Sequence, residues 1–183
     1  MKKIYTVILA VLCLQGNAQF SGGSGTTSDP YVIANKNDLA TLSNNSSYWD
    51  KHFIQTADIM LTAADFQTGG IFYNNGEGFS PVGTYGGTSF TGSYNGKGHV
   101  IDSLYINRPS ANFIGLFAYI GSGATVDSLG VTNVNITGQS FIGGFCGDNA
   151  GTVSNCYSTG SVSGNSEVGG FCGVNVGTVS NCY

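Results

Sequence analysis

Two nearly identical passages near the end of the chain decide most of what it can fold into. Phe141 to Tyr157 reads FIGGFCGDNAGTVSNCY and Glu167 to Tyr183 reads EVGGFCGVNVGTVSNCY, so Cys146 and Cys172, Val153 and Val179, and Cys156 and Cys182 are each 26 residues apart. A unit of this length is one supersecondary element that cannot bury its own apolar face and must stack on a neighbouring copy. The chain therefore reads as a stack of coils.

Upstream passages carry the same boxes with less identity. Ile101-Asp102-Ser103-Leu104, Val126-Asp127-Ser128-Leu129, Val153-Ser154-Asn155-Cys156 and Val179-Ser180-Asn181-Cys182 begin 25, 27 and 26 residues apart. A second box runs from Phe113 to Ala118, from Phe141 to Cys146 and from Glu167 to Cys172; Ile136-Thr137-Gly138 and Val162-Ser163-Gly164 form a third. Three apolar boxes per period predict about three short strands per 26-residue coil, with like residues in ladders about 4.8 Å apart. The expected inward ladders are Ile114/Ile142/Val168, Phe117/Phe145/Phe171, Ile101/Val126/Val153/Val179 and Leu104/Leu129/Cys156/Cys182. Residues i and i+3 of a straight strand face opposite sides. A bend is therefore expected inside the Val-x-x-Cys box, at Asn155 and Asn181 and at Ser103 and Ser128 before them. Charged residues make up only 9% of the chain and there are 29 glycines, the reverse of a helical composition. The fold class is all-β, a parallel solenoid.

Residues 1–18 read as a signal peptide: Lys2 and Lys3, an apolar run from Ile4 to Leu14, then Gly16-Asn17-Ala18 as the cleavage site. The run is too short for a permanent membrane span. Leu12 stands where a small residue precedes a lipidated cysteine, which argues against lipidation at Cys13. Export leaves Lys36, Lys51, Lys97 and Arg108 against ten carboxylates, a net charge of −6. With no basic cluster, nucleic acid is excluded as a partner.

Residues 19–85 read as an N-terminal cap and first irregular coils, and residues 86–183 as the repeats. Gln19 to Thr27 reads as loosely tied, Tyr31-Val32-Ile33 as a strand, and Asn37 to Leu42 as a short helix with Asn37 as its cap. Phe53 to Ile59 reads as a strand, and residues 61–78 as a long loop with room for a hairpin. The stack reaches Tyr183 without a capping unit, so the chain is expected to be the first part of a longer protein.

Cys146, Cys156, Cys172 and Cys182 are even in number and destined for an oxidising compartment, which permits disulfides. Aligned box on box, Cys146 falls at the place of Ala118 and Cys156 at that of Leu129. That pattern favours small buried thiols, and zinc is disfavoured because the repeats contain no histidine. Asp102 and Asp127, 25 residues apart, are expected to stack as two outward carboxylates: a solvated face first, calcium ligands or polysaccharide chemistry second. His52 and His99 read as structural. Tyr157 and Tyr183 are expected to stack as an exposed strip that could touch a sugar or a protein. No cofactor is implied.

These boxes resemble the GLUG-motif repeat family of bacterial exported proteins, through Gly115-Leu116-Phe117, the two GGFCG segments at Gly143–Gly147 and Gly169–Gly173, and the two GTVSNCY segments. The lead-in FTGSYNGKGHVIDSLYI and the earlier DPYVIANKNDLATL and FSPVG are similar to what precedes such repeats. Phe145 and Phe171 depart from the leucine usual in the family. The resemblance implies a right-handed parallel β-helix in a secreted or cell-surface protein, often adhesin-like; the chain itself is read as non-catalytic, with an unnamed protein or carbohydrate as its surface ligand. Alternatives are a polysaccharide-binding or polysaccharide-degrading β-helix, and an accessory region of a surface peptidase. The chain itself has no HExxH metalloprotease motif.

Overall fold

The computed structural model describes residues 19–183; the predicted signal peptide lies outside them. The chain winds through four parallel sheets. The first, termed the Val sheet, stacks Tyr31–Ile33, His52–Gln55, Ser93–Asn95, Thr125–Asp127, Thr152–Ser154 and Thr178–Ser180 in that order. Its central rung reads Tyr31, Phe53, Tyr94, Val126, Val153 and Val179, every step in parallel register. The long sheet is built on Ile59–Met60, Val100–Asp102, Gly130–Thr137 and Tyr157–Ser163, with Tyr105–Asn107 also paired to the third of these. The short sheet pairs Ser140–Gly143 with Ser166–Gly169, and the Cys sheet stacks Phe117–Ile120, Cys146–Asn149 and Cys172–Asn175.

The three sequence boxes map onto one coil in order: Val sheet, long sheet, then a second box that bends at Gly144-Phe145 into a short-sheet strand and a Cys-sheet strand. The bend has a steric cause. A Cβ on Gly143 would lie 2.2 Å from the Cys146 carbonyl oxygen and 2.6 Å from that of Phe171, and one on Gly147 would lie 2.7 Å from Phe113 Cα. The two strand layers thus approach backbone to backbone, and only glycine leaves room between them.

The expected bends inside the Val-x-x-Cys boxes are present. Ser103, Ser128, Asn155 and Asn181 have φ of 62, 54, 53 and 54°, the left-handed region that asparagine tolerates. Yet the first box does not belong with the other three. Ile101 pairs with Ile59 and Val131 in the long sheet, and Tyr94 holds the rung below Val126. Ile101 and Leu104 therefore leave the ladders predicted for them; the four-residue pattern encodes a bend, and the coil uses that bend at two corners.

The remaining ladders hold with one shift. Ile114 pairs with Ile142 and Ile142 with Val168. Phe117 pairs with Cys146, not Phe145, because Ile114 to Phe117 is one residue shorter than Ile142 to Cys146. Cys146 therefore replaces Phe117, not Ala118, in the rung. The Phe117, Phe145 and Phe171 rings still stack, at 5.9 and 4.8 Å. They extend a spine from Phe53 through Phe90 at 6.4 and 5.1 Å. Leu129, Val126, Val153 and Cys156 are buried, whereas Val179 and Cys182 are half-buried and Val168 is exposed, because no described coil lies above them. Each large rung fully buried stabilises by roughly 1.5–3 kcal/mol.

The N-terminal segment is packed, not loose. Phe20 is buried among Tyr31, Tyr48 and Phe53 with ring centroids 4.5, 5.0 and 5.6 Å away, and Gly22 O accepts from Val32 N at 2.9 Å. The helix α1, Lys36–Asn44, starts earlier than expected, capped by Asn35, whose side chain accepts from Asn37 N and Asp38 N. Leu39 and Leu42 bury its inner face, and Trp49 Nε1 donates to Leu42 O at 2.8 Å. Residues 61–78 contain two short 3-10 turns, Ala63–Phe66 and Asn74–Gly76, in place of a hairpin. Among the described residues no helix is long and apolar enough to cross a membrane.

Candidate functional site

Asp127 ends a Val-sheet strand at a corner of the coil. Its Oδ1 accepts from Ser154 Oγ at 2.7 Å and Asn155 Nδ2 at 2.8 Å, and its Oδ2 from Ser128 Oγ at 2.7 Å. Asp102 repeats this cradle at a long-sheet corner, with Thr132 Oγ1 at 2.5 Å, Asn133 Nδ2 at 2.7 Å and Ser103 Oγ at 2.7 Å. The left-handed serine after each aspartate supplies one donor and the coil above supplies two. The hydrogen bond from Ser154 holds the Asp127 carboxyl below its ordinary range, and that from Thr132 does the same for Asp102, since each donor favours the ionised form.

The two carboxylates do not stack. Asp127 has Asn95 and Ser154 as rung neighbours, whereas Asp102 has Met60 and Thr132 on a different sheet. The expected pair is corrected by the same shift to the long sheet that moved Ile101. Each aspartate is an anionic staple between coils, and the calcium reading, which needs oxygens converging on one point, is not supported by their placement. Among the described residues no group of three or more His, Cys, Asp or Glu converges to hold a metal. The staple passes upward to an amide pair, Asn181 Nδ2 donating to Asn155 Oδ1 at 3.2 Å. On the Cys sheet, Asn149 Nδ2 donates to Asn175 Oδ1 at 2.7 Å.

Both histidines are tied into the scaffold. His52 sits between Thr27 Oγ1 at 3.1 Å and Ser93 Oγ at 2.7 Å, and His99 Nδ1 lies 3.0 Å from Asp58 Oδ1. The four described cysteines are free thiols. Cys146 and Cys172 are in register with sulfurs 3.1 Å apart, and the contact with Cys172 together with burial pushes the Cys146 thiol up. Burial pushes Cys156 up to about 12. Tyr157 and Tyr183 stack as expected, 5.3 Å apart and 8° from parallel, with Tyr183 75% exposed.

Three features escaped the sequence. Tyr85, Phe113 and Phe141 form a second ring stack, 4.2 and 4.6 Å between centroids. Its only signal was the phenylalanine that opens the second box. Asp148 is buried in the Cys sheet with its Oδ1 unpartnered among the described residues, and burial pushes its carboxyl up. A cleft of about 470 Å³ opens between the 61–67 segment and the long sheet, lined by Leu61, Thr62, Phe66, Gln67, Leu104, Tyr105, Asn133 and Asn135 among others. These residues come from three distant parts of the chain, so no spacing could reveal them.

No family model matches the chain. Halomucin from Haloquadratum walsbyi is 40% identical over 139 residues, which is 76% of this chain and 2% of that protein. A protein provisionally described as a Gly-rich membrane protein, from Evansella cellulosilytica, is 34% identical over 160 residues, 83% of this chain and 17% of that protein. The chain therefore spans a small part of the length of these relatives. A crystal structure of a protein provisionally described as an immunoglobulin A1 protease, from Bacteroides ovatus, aligns over 90% of this chain and 78% of that one, with a TM-score of 0.46 and 17% identity.

Proposed function

We propose that this chain is a non-catalytic solenoid segment of a much longer exported protein of the GLUG-repeat kind, acting at the cell surface as a rigid, adhesin-like spacer. One observation carries the reading. The polar groups that recur from coil to coil are used to hold one coil on the next: Asp127 on Ser154 and Asn155, Asn155 on Asn181, Asn149 on Asn175. Polysaccharide hydrolysis by paired carboxylates needs the two to flank one glycosidic bond, and Asp102 and Asp127 stand on different sheets. The relatives support a place in a long chain, since 160 residues match 17% of one that is described as a membrane protein. The predicted signal peptide supports export.

Surface labelling tests this. An antibody raised against residues 19–183 is expected to stain intact producing cells or to detect the protein in their medium. Signal found only after the cells are broken, in the soluble interior fraction, would overturn the proposal.

A further inference from the structure

The cleft over the long sheet has the chemistry of a binding site that the spacer role does not use. Its floor is apolar, formed by Leu61 and Leu104, both buried. Phe66 and Tyr105 form a wall, with ring centroids 5.5 Å apart and planes at 64°. Exposed Gln67 and Asn135 bring side-chain amides to the rim. Asn133 also reaches the lining, but its Nδ2 is committed to Asp102 at 2.7 Å.

Charge narrows the ligand. No lining residue is a lysine, arginine, histidine, aspartate or glutamate. The adjacent carboxylates are occupied: Asp102 by its three donors, and Asp65 by Lys36 Nζ at 2.5 Å and Thr62 Oγ1 at 2.8 Å. A wholly apolar ligand would strip water from the amides and leave them unpaired, at a cost of about 1–3 kcal/mol each. A ligand with a ring face for the aromatics and hydroxyls for the rim satisfies both, because an amide donates and accepts at once. A volume near 470 Å³ lies inside the range of about 300–1,000 Å³ for small-molecule sites.

We propose that this cleft binds a neutral sugar unit of a glycan, with one ring face against Tyr105 and Phe66 and its hydroxyls on Gln67 and Asn135. The site goes beyond the spacer reading and stands or falls without it, since binding is read on purified protein wherever the protein resides. The probes are neutral cello-, malto- and chito-oligosaccharides, with oligogalacturonate as the anionic control, each titrated by saturation-transfer NMR. At least one neutral series is expected to bind. Gln67→Ala and Asn135→Ala are each expected to weaken it roughly two- to tenfold, the loss of one neutral hydrogen bond, with thermal stability unchanged because both side chains are exposed. Asn135→Asp, which keeps the shape and adds a charge, is expected to weaken it as well. Absence of binding by every neutral probe, binding by oligogalacturonate alone, or neutral binding that survives all three substitutions would each overturn the proposal.

Discussion

Replacing Gly143 with alanine tests why this repeat needs its paired glycines. The new Cβ would sit 2.2 Å from Cys146 O, 2.6 Å from Phe171 O and 2.8 Å from Cys172 Cα. All three are backbone atoms, and two belong to the next coil. Restoring an ordinary contact of about 3.4 Å requires the short and Cys sheets to separate by about 1 Å, which forfeits packing along both layers. Overpacking typically costs about 1–3 kcal/mol, and the immobile partners here place the cost at the upper end, near 3 kcal/mol. For a chain of this size that is a fall of about 6–12 °C in Tm. Gly170 follows the equivalent glycine one coil on, has nothing within 4 Å of its would-be Cβ and no positive φ, so Gly170→Ala is the internal control. It is expected to change stability by less than about 0.5 kcal/mol. Urea unfolding followed by both circular dichroism and fluorescence would measure the two, with coincident transitions checking that one free energy is meaningful. Equal stability of Gly143→Ala and wild type, or equal damage from both substitutions, would refute the backbone-to-backbone packing.

The thiols should divide by depth: at pH 8, a thiol reagent is expected to modify Cys182 and Cys172 before Cys156 and Cys146 in folded protein, and all four in urea. Early modification of Cys156 would contradict its burial. Acid should act on the aspartates with opposite signs. Asp102 and Asp127, held below the ordinary value of 3.8, stabilise the fold above that pH and lose their contribution as pH falls through the depressed values. Asp127→Ala is accordingly expected to cost on the order of 1–2 kcal/mol at pH 7, allowing for partial exposure, and less at pH 2. Asp148, pushed up by burial, costs stability as pH rises from 3.8 through its raised value. Asp148→Asn should therefore stabilise at pH 7 and lose that advantage below about pH 4; denaturant midpoints across this range decide both.

Much of the architecture was legible because a solenoid repeats its physical constraints. The 26-residue period, the left-handed residues at Asn155 and Asn181, the buried Cys156 and the stacked tyrosines all follow from what a coil must do to rest on its neighbour. What was misread has a common cause. Box alignment treats similar letters as similar rungs, but Asp-Ser marks a bend, and the fold places such a bend at a long-sheet corner for Asp102 and at a Val-sheet corner for Asp127. The one-residue difference before Phe117 is invisible for the same reason: Leu116-Phe117 and Gly144-Phe145 align without a gap although the backbone does not. Phe20 was hidden in a Gly/Ser/Thr-rich passage, where one aromatic anchor suffices to order the segment against Tyr31 and Phe53. The cleft joins Phe66, Tyr105 and Asn135 through tertiary packing, which no local pattern records.

The central claim is the parallel, in-register stack of the Val sheet, and cysteine cross-linking tests it most directly. Thr125, Thr152 and Thr178 are exposed and occupy one rung position in three successive coils. Strands one step apart lie about 4.8 Å from each other, within reach of a disulfide, whereas two steps exceed the limit of about 7 Å. Thr125→Cys with Thr152→Cys, and Thr152→Cys with Thr178→Cys, are each predicted to yield the linked peptide on mild oxidation, identified by mass spectrometry. Thr125→Cys with Thr178→Cys is predicted to yield none within one molecule. Efficient linkage of that skipped pair, with failure of the two neighbouring pairs, would contradict the stack.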